Sequence, residues 1–258
     1  MNTDDISTSK GIDWIRQGFA LFRKQPAELS MLFLLYMLLM FVLSLIPLVG
    51  QLLPLLLVPT FSMAFMQACV EIEAGRKVRS DVLLTAFRSP ALGTLLRLGV
   101  LYLLAAMLAV AASVIVDDGV FWKLMSGQLR ADEQNIPVAD LPLAMMFSAL
   151  IYVPFAMAFW HAAPLATWQK MGLFKAIFYS FFAVRRCGKA FLAYALGWIV
   201  VGIAVPAIIS ALLGLILGKT IVAIMLLMPL SVILTIVMYC SFYPTYLQVF
   251  ERPEQSKT

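Results

Sequence analysis

Charge is what this sequence has least of. Asp, Glu, Lys and Arg make up 13% of its 258 residues, about half the roughly 25% of ordinary soluble chains. Hydrophobic residues reach 62%, against roughly 45–50% in such chains. A soluble fold of this length has too little interior to hide that much apolar surface, so lipid must be the solvent for most of it. Cysteine is scarce as well. Cys69, Cys187 and Cys240 form no CxxC spacing and are odd in number, which excludes a disulfide framework and a cysteine zinc site; reduced thiols are expected. There is one histidine, His161, and no HExxH, GxSxG, P-loop or GxGxxG in a supporting context. No cofactor, metal or catalytic activity is therefore expected. The longest segment between apolar runs, 117–139, is acidic and too short for a folded domain.

What is present is a series of six apolar runs near 28–47, 52–73, 92–116, 140–163, 190–217 and 220–249. Each can supply the about 20 helical residues that cross a hydrocarbon core. The reading is an all-α, polytopic transmembrane helical bundle, one integral membrane domain over residues 1–258. The last two runs exceed the minimum, so tilts or kinks are expected, with Pro206 and Pro229 as kink sites and Pro59 and Pro154 in the same part earlier. The net charge of +5 is no nucleic-acid patch, because the basic residues fall between the apolar runs. With the N-terminus inside, the inner segments hold Lys10, Arg16, Arg23 and Lys24, then Arg76, Lys77, Arg79 and Arg88, then Lys170, Lys175, Arg185, Arg186 and Lys189, and finally Arg252 and Lys257. The opposite side holds Lys123, Arg130 and Lys219. This bias predicts both termini in the cytoplasm. Arg97 lies a turn inside the third run, within reach of the inner interface by snorkelling.

The segment GIDWIRQGFALFRKQP, ahead of the first run, splits on a helical wheel. Ile12, Trp14, Ile15, Phe19, Leu21 and Phe22 share one half; Asp13, Arg16, Gln17, Arg23 and Lys24 share the other. A charged half excludes a membrane span, and Asp4 and Asp5 argue against a signal peptide. An amphipathic helix over 9–25 lying in the interface fits, ended by Pro26. Two inner connections have related character. SDVLLTAFRSPA, 80–91, opens with a capping Ser80-Asp81 pair. GLFKAIFYSFFAVRR, 172–186, places Phe174, Ile177, Phe178, Phe181 and Val184 opposite Lys175, Tyr179 and Arg186. These three segments make Arg16, Arg23, Lys24, Arg88, Arg185 and Arg186 the candidate contacts for anionic lipid or a partner. Membrane lipids are the expected partners, with a membrane protein or a second copy of the chain as the alternative.

Other polar groups have plainer readings. His161, between Trp160 and Trp168, has no companion ligand and no visible nucleophile, and reads as a member of the interfacial belt. Glu71 and Glu73 lie two apart, so they do not face one another on a helix, and salt bridges to Arg76, Lys77 or Arg79 are expected. Small residues at Ala105, Ala109 and Ser113, and at Gly214 and Gly218, allow close helix approach, inside the bundle or at a dimer seam. Tyr239, Tyr243 and Tyr246 read as interface anchors. Val58-Pro59 with Ala64-Phe65 is echoed 95 residues later by Val153-Pro154 with Ala158-Phe159. That pattern fits a parallel repeat of helices two and three in helices four and five, and it also fits shared membrane composition.

Gly11, Trp14, Gly18-Phe19, Phe22, Pro26, Pro47, Gly50, Pro59 and Gly75, with Trp160, Ala163-Pro164, Trp168, Ala176, Ser180-Phe181, Arg185, Phe191 and Tyr194, resemble an uncharacterised family of small polytopic inner-membrane proteins of proteobacteria. The resemblance runs over nearly the whole chain. It implies several membrane helices and a bacterial inner-membrane home, and it brings no established activity and no functional residues. The expected function is that of a non-enzymatic integral inner-membrane protein, an accessory, assembly or lipid-interacting component. The alternatives are a transporter of a hydrophobic or small solute and, third, a lipid-modifying enzyme in which His161, Glu71 or Glu73, and Arg185 or Arg186 converge.

Overall fold

A computed structural model describes residues 7–47, 50, 52–129, 140–217 and 223–250. Among the described residues all regular structure is helical. Six helical stretches are long and apolar enough to cross a membrane: Pro26–Ser44, Leu53–Glu73, Leu92–Asp117, Leu141–Thr167, Gly188–Leu213 and Met225–Val249. They match the six apolar runs in order. Asp4, Asp5, Arg130, Gly218, Lys219, Arg252 and Lys257, with positions 131–139 and 220–222, lie outside the described residues.

The chain opens with α1 (Ser9–Lys24), followed at once by α2 (Pro26–Ser44) and then α3 (Leu53–Glu73). Pro26 works in both directions. It forces Gln25 out of the helical region, to φ −146°, and its fixed φ suits the first turn of α2. A 3₁₀ turn, Ser80–Leu84, leads to α4 (Leu92–Ala112). Among the described residues no side chain caps that turn, where a Ser80-Asp81 cap was expected; Asp81 faces Arg79 instead. Two short helices follow, α5 (Val114–Asp117) and α6 (Val120–Met125). The buried Asp117 carboxylate accepts from the Gly119 and Phe121 amides at 3.0 and 2.6 Å, tying the start of α6 to the end of α5. Next come α7 (Leu141–Phe159), α8 (Ala162–Thr167), α9 (Leu173–Arg186) and α10 (Gly188–Ile199). A π turn, Val200–Ala204, joins α10 to α11 (Val205–Leu217), and a second, Ala223–Leu227, precedes α12 (Met228–Val249). Pro59 and Pro154 lie inside α3 and α7. Pro206 and Pro229 each follow a π turn, whose wider winding opens space for the bond and carbonyl position that proline disrupts.

Packing is concentrated at one end. Most buried residues of the first half of α2 (Leu29, Leu32, Phe33), the second half of α3, the start of α4, α8 (Ala162 to Ala166) and the last half of α12 lie there. The opposite halves of α2, α7, α10 and α12 expose Phe41, Met146, Leu196 and Met228. In water this would be untenable; in lipid, apolar side chains gain nothing by leaving the solvent. The helices meet in series: α3 along α4, α4 on α7, α7 on α9, and α12 on α3. At Gly99 of α4 the backbone lies so close to α3 that a Cβ would overlap the Leu56 carbonyl. Ala105, Ala109 and Ser113 are buried. The Ala109 carbonyl accepts from Ser148 Oγ of α7 at 2.9 Å, so this small-residue stripe serves packing within the bundle. The echoed segments pack differently: α3 lies along α4, whereas α7 packs on α4 and α9.

Candidate functional site

The packed end is organised around α1. Gly11, Trp14, Ile15, Gly18 and Leu21 recur at helical spacing and are all buried. A Cβ at Gly11 would overlap the Ala190 carbonyl at the start of α10, and one at Gly18 would sit 2.8 Å from Ser241 Cβ of α12. Between the two glycines Trp14 fills the seam, its ring 5.0 Å from Phe191 and 5.9 Å from Tyr194. The expected lipid-facing half of α1 is thus covered by protein, because two glycines let neighbouring backbones come close enough to take the tryptophan. Ile12 remains exposed. On the opposite side Arg16, Arg23 and Lys24 are exposed, with Arg16 3.6 Å from Asp13.

Below α1 a set of hydrogen bonds pins the helices. Tyr194 of α10 and Ser241 of α12 share one at 2.5 Å. Trp160 Nε1 donates to Thr245 Oγ1 at 3.2 Å, and Gln169 Nε2 to Tyr246 OH at 3.1 Å. Tyr243 donates to Glu73 at 2.9 Å. Tyr243 and Tyr246 are buried inside this cluster, so they act as internal pins where interface anchors were expected. His161 also differs from expectation. It is buried at the α7–α8 corner, ringed by Phe191, Tyr246 and Phe250 at 5.4–6.0 Å, and among the described residues its Nε2 has no hydrogen-bond partner. Its backbone amide donates to Ser180 Oγ of α9.

The acidic residues divide. Glu71 pairs with Arg76, as expected, and this carboxylate raises the Arg76 pKa above its ordinary value. Glu73 takes Tyr243 instead of a cation, Lys77 reaches Glu28 at 3.2 Å, and Arg79 faces Asp81 at 3.5 Å. No hydrogen-bond partner meets the His161 Nε2 among the described residues. Among the described residues no three His, Cys, Asp or Glu side chains group as metal ligands.

The six basic candidates are all exposed, on three connections. Arg23 and Lys24 end α1 beside Gln25, whose side chain donates to the Arg76 carbonyl at 2.7 Å and accepts from the Val78 amide at 2.9 Å. That clamp brings them to the loop carrying Arg76, Lys77 and Arg79. Gln25 was not legible as a functional position; its place between two helices and before a proline was the available signal. Arg185 and Arg186 end α9 at the corner where Gly11 meets α10. Arg88 follows Phe87, which packs edge-on against Phe61. On α9 the small residues Ala176, Ser180 and Ala183 are buried, and Phe174, Phe178 and Phe182 face outward, Phe174 being 80% exposed. Cys187, just after Arg186, is buried, and burial raises its thiol pKa against the opposing effect of Arg186.

Six apolar helices, an interior packed at one end and a rim of cations there define a multi-pass integral membrane protein. Over 252 residues the chain is 37% identical to a probable inner membrane protein of Burkholderia thailandensis, covering 95% of this chain and 93% of that one. The chain belongs to the same family of polytopic inner-membrane proteins. No family model and no solved structure matches it.

Proposed function

We propose that the protein is a non-enzymatic accessory or lipid-interacting component of the inner membrane, with both termini cytoplasmic. In this reading the packed end is the cytoplasmic end, and Arg16, Arg23, Lys24, Arg88, Arg185 and Arg186 lie at the level of the headgroups. The observation that carries it is α9. Its outward face is a row of phenylalanines that water would penalise and acyl chains accept, and its last two residues are arginines suited to anionic headgroups. The docked α1 adds three outward cations at the same end.

Native mass spectrometry of the protein extracted with its own lipids tests this. A retained anionic lipid, lost in the Arg185→Ala/Arg186→Ala double variant, or a retained partner protein, is the expected result. A bare monomer overturns the reading and makes solute transport the one to pursue, starting with the π turns ahead of Pro206 and Pro229.

A further inference from the structure

A cleft of about 490 Å³ opens between the first turns of α2 and the segment 77–81. Its lining carries four charges, two of each sign: Lys77 with Glu28 and Arg79 with Asp81. Its apolar lining comes from Leu32, which is buried, and Met31, which is 63% exposed. From Met31 an exposed apolar stripe continues along α2 through Leu34, Leu38 and Phe41 to Leu45, just past its end. At 1.5 Å per residue it runs about 21 Å, longer than the roughly 15 Å depth of one hydrocarbon leaflet.

We propose that this cleft binds one phospholipid with a zwitterionic ethanolamine headgroup, its phosphate on Lys77 and Arg79, its ammonium on Glu28 and Asp81, and an acyl chain along the α2 stripe. The charge pattern selects the headgroup. A purely anionic group would meet two carboxylates, and a cation would meet Lys77 and Arg79. A zwitterion exchanges partners with both pairs, and because the cations are largely exposed the present pairs give little up when they open. Carboxylates also favour a primary ammonium, which donates hydrogen bonds, over a quaternary one, which has none. The apolar stripe requires the chain as well as the headgroup. None of the six basic residues of the proposed function takes part; the site rests on that reading only in placing this end of the bundle at the headgroups.

The test is native mass spectrometry of the delipidated full-length protein titrated with phosphatidylethanolamine, phosphatidylcholine or phosphatidylglycerol of identical acyl chains. The expected result is one phosphatidylethanolamine retained with about tenfold preference over either rival, as loss of a charge-assisted hydrogen bond implies. Glu28→Gln/Asp81→Asn should shift the preference to phosphatidylglycerol, and Lys77→Gln/Arg79→Gln should abolish retention of both. Glycerophosphoethanolamine, the headgroup without chains, should not compete. Arg185→Ala/Arg186→Ala should leave the bound phosphatidylethanolamine in place. Equal retention of the three lipids, preference for phosphatidylglycerol by the unaltered protein, or indifference to both charge variants, whose folding is checked by unchanged melting temperature, would overturn the proposal.

Discussion

At the residue scale, the decisive positions are glycines at backbone contacts. Gly99 and Gly93 lie on the same helix, but a Cβ at Gly99 would strike the Leu56 carbonyl, while one at Gly93 would meet nothing within 4 Å. A carbonyl cannot step aside as a flexible side-chain tip can. Gly99→Ala is therefore expected to cost roughly 1–3 kcal/mol by overpacking, and Gly93→Ala to be neutral or slightly stabilising. Thermal melting in one detergent compares them, and equal melting temperatures would refute the close approach. Cys187 gives a prediction in pH. Burial disfavours its thiolate, and the thiolate is the reactive form, so reactivity should rise only as pH passes above the ordinary thiol value of about 8.5. Maleimide labelling read by peptide mass spectrometry gives the midpoint. A midpoint below that value would mean that the charge of Arg186 outweighs burial.

At the element scale, α1 shows how the same pattern admits two environments. Its amphipathic wheel was legible: charged residues on one half, Trp14 and Ile15 on the other. A wheel records which side is apolar, not whether lipid or protein covers it. Gly11 and Gly18, seven residues apart on the apolar side, are what let α10 and α12 approach, and they were read only as part of a resemblance. Gly11→Leu/Gly18→Leu should undock α1 and make cleavage after Arg16, Arg23 and Lys24 rapid under limited trypsin digestion. In the unaltered protein the docked helix should slow the same cuts at least about tenfold, since cleavage needs local opening. Identical digestion of the two forms would show that the seam does not hold α1. A similar lesson applies to Tyr243 and Tyr246, whose amphipathic chemistry suited an interface, and which instead satisfy their hydroxyls inside the packed end.

At the scale of the whole molecule, α1 and the last turns of α12 pack together, so the two ends of the described chain lie on the same side. In the orientation proposed above, the excess of Lys and Arg there faces the cytoplasm, as the positive-inside rule expects. Reporter fusions follow directly. A periplasm-dependent reporter fused after Thr258 should be inactive, and one inserted near Gly127, between α6 and α7, should be active. The reverse pattern would invert the molecule.

Composition and run length alone determined the all-helical class and the six spans, because lipid imposes a length and an apolarity that each segment must meet by itself. The order of charges along the chain likewise supplied an expected orientation. Tertiary structure decided what covers α1, where Tyr243, Tyr246 and His161 are buried, and that Glu28 from one helix meets Lys77 from a loop to form a cleft. Those outcomes depend on which faces of separate helices meet, and in a chain apolar nearly all round, hydrophobic periodicity carries little of that information. It resides in a few small residues whose significance appears only when a second backbone is beside them.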